Sequence, residues 1–64
     1  QDTGVIYSSQ VEVYSEPNLF SKRLFKIHEG LKVSINDKAQ GWVEIELIDG
    51  KKGWLENRQI RFIQ

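Results

Sequence analysis

The feature that most constrains this chain is the stretch 41–55, where an alternating run, an Asp-Gly pair and a second short apolar run follow one another. Trp42, Glu44 and Glu46 alternate with Val43, Ile45 and Leu47. That period of two gives a strand with one buried and one wet face. Asp49-Gly50 then supplies a turn, because glycine adopts the positive φ of tight hairpin turns without steric cost. Trp54-Leu55 follows on the return arm, so the stretch reads as a β-hairpin whose arms carry the Gly-Trp pairs Gly41-Trp42 and Gly53-Trp54.

The turn constrains the register. A regular two-residue loop at Asp49-Gly50 sets Ile45 opposite Trp54 and Glu44 opposite Leu55, which mixes a charge with an aliphatic on the wet face. One extra residue on the second arm, as a bulge at Gly53 or a three-residue loop through Lys51, sets Ile45 opposite Leu55 in the core and brings Trp54 out beside Trp42. The expectation is one outer face carrying both indoles. The competing reading buries Trp54, since large aromatics are mostly buried.

Elsewhere short strands alternate with turns. Residues 1–4 read as a tail or linker, and residues 5–63 as the domain. Val5-Ile6-Tyr7 reads as a first edge strand, and Val11-Glu12-Val13-Tyr14 as a strand with its valines inward. Ser15-Glu16-Pro17-Asn18 is turn chemistry that opens a long loop. Leu19 and Phe20 on that loop are expected to fold back onto the core. Phe25-Lys26-Ile27-His28 and Leu31-Lys32-Val33-Ser34-Ile35 alternate again across a turn at Glu29-Gly30, and residues 36–41 form a hydrophilic connector. Glu56-Asn57-Arg58-Gln59 is too short for a stable α-helix and reads as one 3₁₀ turn. Ile60-Arg61-Phe62-Ile63 closes as a strand able to pair with the first. Strands of this length and spacing, without helical periodicity, predict a small all-β barrel.

Composition narrows the chemistry. Sixty-four residues make one domain, of a size that buries only about 60% of its unfolded surface. Nine basic residues balance nine acidic ones, which offers nucleic acid or an anionic membrane no electrostatic attraction. No apolar run approaches a membrane span. Cysteine is absent and His28 is the single imidazole, so there is no cysteine nucleophile and no thiolate or paired-imidazole metal site. No metal, cofactor or catalytic residue is expected, and His28 reads as a surface or turn residue. The chain carries no methionine and is expected to be a piece of a longer protein.

Taken together, Phe25-x-Ile27-x-x-Gly30-x-x-Val33-x-Ile35, Gly41-Trp42-Val43-x-Ile45, Asp49-Gly50-x-x-Gly53-Trp54-Leu55 and Ile60 resemble the bacterial SH3 domain (SH3b), over nearly the whole chain. Residues 24–30 and Gly53-Trp54-Leu55 are similar to the SH3 module that ends Bat-type tetratricopeptide-repeat aerotolerance proteins. The resemblance implies a five-stranded SH3-like barrel that binds and does not catalyse. By position Trp42 matches the groove tryptophan of SH3 domains, and Trp54 the aromatic that follows a glycine in the penultimate strand. Glu56 and Gln59 stand where that groove has proline and tyrosine, and the long loop is apolar and basic where eukaryotic relatives are acidic. A proline-rich ligand is therefore not the expectation; the resemblance points to a cell-wall peptide, another peptide or a partner protein, with a monomeric domain in the cell envelope or exported. Trp42, Trp54, Tyr14, Glu44 and Arg58 are the candidate binding residues, since flat amphipathic rings dominate interface energetics. Arg58 is expected over the Trp42 ring. Glu44, Glu46 and Glu56 read as solvated charges or rim contacts for a basic ligand. The alternative is a structural module packed by its tryptophans against a neighbouring domain.

Overall fold

The computed structural model describes residues 2–63. Seven strands run antiparallel in one coiled sheet of order β3-β2-β6-β5-β4-β1-β7. They are β1 (Asp2–Ile6), β2 (Gln10–Tyr14), β3 (Arg23–His28), β4 (Lys32–Ala39), β5 (Trp42–Glu46), β6 (Lys52–Glu56) and β7 (Ile60–Ile63), with a 3₁₀ turn, Asn57–Gln59, before the last. The all-β SH3-like architecture is as the pattern predicts; each hydrogen-bonded segment counted separately makes seven strands rather than five.

Inward positions of the alternating runs form a core of ten aliphatic residues: Ile6, Val11, Val13, Ile27, Val33, Ile35, Val43, Ile45, Leu55 and Ile60. All but Leu55 are β-branched, the type that suits a pleated, half-buried surface. No aromatic ring belongs to this core. All seven aromatic residues therefore lie at its margin or outside it, which decides where a site can form.

Two glycines let strands pass closely. A Cβ on Gly53 would lie 2.3 Å from Val13 Cγ1 and 3.0 Å from the Tyr14 carbonyl oxygen, where β2 crosses β6. A Cβ on Gly4 would lie 2.7 Å from Ile60 Cδ1. Connections are tied by backbone bonds: Tyr7 N–H donates to Gln59 O at 2.9 Å and Asn57 N–H to Gly41 O at 2.8 Å.

Three expectations differ from the structure. The first strand begins at Asp2, within the segment read as a tail, and lies between β4 and β7 rather than at an edge. Its pairing with β7 is as expected. The outermost strands are β3 and β7. Second, Leu19 and Phe20 do not fold back: Phe20 is 99% exposed. Their loop spends its polar groups on itself, with Ser21 Oγ donating within reach of Asn18 O (2.8 Å) and Glu16 O (3.0 Å) and Phe20 N–H donating to Asn18 Oδ1 at 3.0 Å. Third, the connector at 36–39 is strand: β4 continues past a bulge at Asn36 to Ala39.

Candidate aromatic face

The expected shared face exists, produced by a different irregularity. In the β5–β6 ladder Trp42 pairs with Glu56, Val43 with Leu55, Glu44 with Trp54, Ile45 with Gly53 and Glu46 with Lys52, without interruption. Leu47 N–H donates to Lys51 O at 2.8 Å, and Gly50 N–H to Leu47 O at 2.9 Å. The extra residue is thus Ile48, which leaves the first arm for a three-residue loop, Ile48-Asp49-Gly50, with Gly50 at φ 94°. No bulge lies at Gly53, and Lys51 flanks the loop instead of lying within it. Leu55 nonetheless points inward and is fully buried, while Trp54 points outward, because adding one residue to either arm changes the parity in the same way. Gly53 is glycine for want of space beneath Val13, not for a bulge.

On the outer face Trp42, Glu44 and Glu46 of β5 adjoin Trp54 and Glu56 of β6, all half-buried. Tyr14, also half-buried, pairs with Trp54 where β2 meets β6. Its ring reaches diagonally across β6 to Trp42, with centroids 5.7 Å apart and planes at 89°. This edge-to-face arrangement sets the positive edge of one ring against the negative face of the other. Three strands therefore place Tyr14, Trp42 and Trp54 together.

The polar surroundings differ from one end of the face to the other. Arg58 does not lie over Trp42; its guanidinium donates to Glu56 Oε1 at 3.0 Å, directly across the ladder from Trp42. A carboxylate two residues away captured it, since a charge-assisted hydrogen bond outweighs an exposed ring contact. Among the described residues, the cation–ring contacts are Lys38 on Phe62, Lys51 on Phe25 and Arg61 on Tyr7, away from this face. Glu46 accepts from Asn36 Nδ2 at 2.8 Å, and Glu12 pairs with Arg23 at 3.3 Å. Asp37, in the segment expected as a connector, stands opposite Glu44. His28 is exposed at the end of β3, and its carbonyl accepts from Leu31 N–H at 3.3 Å across the Glu29-Gly30 turn.

Residues 7–61 match the family model of the bacterial SH3 domain. The chain is a bacterial SH3 domain. Domains of this family are generally binding modules. A search of curated proteins finds no match to the chain. In this SH3 domain the family match begins at Tyr7, so β1 lies outside the matched residues although it lies within the sheet.

Proposed function

We propose that this SH3 domain is a non-catalytic recognition module that binds a peptide, cell-wall peptide or partner protein on the face formed by Tyr14, Trp42 and Trp54, with Glu44 and the Glu56–Arg58 pair at its rim. The observation that carries the reading is the meeting of three half-buried rings from β2, β5 and β6 on one side of a barrel whose core is wholly aliphatic. Rings not needed to fill the core are available for contact, and Trp and Tyr offer large contact area at little conformational cost.

The test is an NMR titration with soluble muropeptides and, separately, a proline-rich peptide, following the indole N–H signals of Trp42 and Trp54. Shifts of both signals with one ligand are expected. Silence with both ligands, together with shifts only when an adjoining segment of the parent protein is added, replaces this reading with that of a structural docking module.

A further inference from the structure

Resting on the aromatic-face reading, we infer that this face selects a ligand carrying a protonated amine or guanidinium group, received between Trp54 and the carboxylates of Glu44 and Asp37. The inference starts from a like-charge pair. In a regular β4–β5 ladder Ile35 pairs with Ile45 and Asp37 would pair with Val43, projecting into the barrel. The bulge at Asn36 shifts the register by one and sets Asp37 opposite Glu44 instead. Bulges re-aim side chains in this way. Like charges directly opposite on a sheet repel, so the arrangement costs the folded domain stability.

The other carboxylates bordering the rings have partners within the chain: Glu12 has Arg23, Glu46 has Asn36 and Glu56 has Arg58. Among the described residues, Asp37 accepts only the neighbouring Lys38 N–H, at 2.8 Å. Among the described residues neither Glu44 nor Asp37 has a cationic partner. Glu44 is half-buried and lies directly across β5–β6 from Trp54 and two residues along β5 from Trp42. A cation set there meets two carboxylates and a neighbouring indole, and so gains both Coulomb attraction and ring-quadrupole attraction. The opposite end of the face, beside Trp42, is already neutralised by Glu56–Arg58. A bound peptide is thereby oriented, with its cation at the Glu44 end and its uncharged portion across Tyr14 and Trp42.

The experiment compares two capped pentapeptides, Gly-Gly-Lys-Gly-Gly and the same peptide acetylated on the lysine side chain, titrated into the domain and into its Glu44→Gln and Asp37→Asn variants. Both substitutions keep side-chain size and remove repulsion, so both variants are expected to fold, as verified by their amide spectra. The lysine peptide should move the Trp54 indole signal and bind about 3- to 30-fold more tightly than its acetylated counterpart, the range of an exposed ion pair with a cation–ring contact. Either variant should shrink that ratio. Equal binding of the two peptides overturns cation selection and leaves the aromatic-face reading intact. A preference retained in both variants overturns it as well. Failure of the lysine peptide to move an indole signal overturns it too, and the muropeptide and proline-rich titrations then judge the aromatic face separately.

Discussion

Gly53 shows how little space separates the strands of a barrel this small. A methyl group there would stand 2.3 Å from Val13 Cγ1, with the Tyr14 carbonyl 3.0 Å away, and the backbone oxygen cannot rotate aside. Gly53→Ala should therefore destabilise the domain by about 1–3 kcal/mol, the usual cost of overpacking. Urea unfolding reads this directly, and a loss below roughly 0.5 kcal/mol would dismiss the close-approach account of this glycine. Leu55 is the complementary case: it is fully buried, and Leu55→Ala should cost about 2–5 kcal/mol. At about 0.05–0.15 kcal/mol per residue that loss is a large share of the domain's whole stability, which a strongly lowered urea midpoint reports. The alternation of Val43, Ile45 and Leu55 made the buried set legible in sequence. The role of Gly53 was not, because its neighbour Val13 lies 40 positions earlier in the chain.

Among the elements, the β5–β6 hairpin carries the main lesson. Its outer and inner faces follow from parity alone, so the shared face of Trp42 and Trp54 was predictable although the extra residue is Ile48 and not one beside Gly53. A turn can absorb one residue from either arm with the same result, and nothing local to Asp49-Gly50 distinguishes the two. Deleting Ile48 should leave Asp49-Gly50 as a two-residue turn between the same flanking residues, Leu47 and Lys51. The strand pairing should then persist, with a change in stability within about 1 kcal/mol. Cross-strand nuclear Overhauser contacts between Val43 and Leu55 check this; their loss, or burial of Trp54, would contradict the assigned loop. The bulge at Asn36 belongs to the same scale and left no mark in composition, because residues 36–41 are hydrophilic in strand and loop alike.

In the molecule as a whole, β1 shows what a local reading misses. Asp2-Thr3-Gly4 has a composition suited to a linker, yet β1 pairs with β4 on one side and β7 on the other, and Ile6 is 1% exposed. A chain that starts at Tyr7 and keeps β7 intact should fail to fold, because β7 would lose its partner and the core would lose Ile6. Circular dichroism of the two lengths tests this: a cooperative thermal transition in the shorter chain would show β1 to be dispensable. The register places both Trp rings on the outer face, and ten aliphatic side chains fill the core without them.

Periodicity and turn chemistry, which act over two to four residues, were enough to establish β2, β3, β5, β6 and β7, their inward positions and the outward direction of Trp42 and Trp54. The meeting of Tyr14 with Trp42, the pairing of Arg58 with Glu56 rather than a ring, the position of Asp37 opposite Glu44 and the place of β1 between β4 and β7 were decided only by the assembled sheet. Each depends on which strand lies beside which and on the register between them, and those are settled by packing between residues distant in the chain.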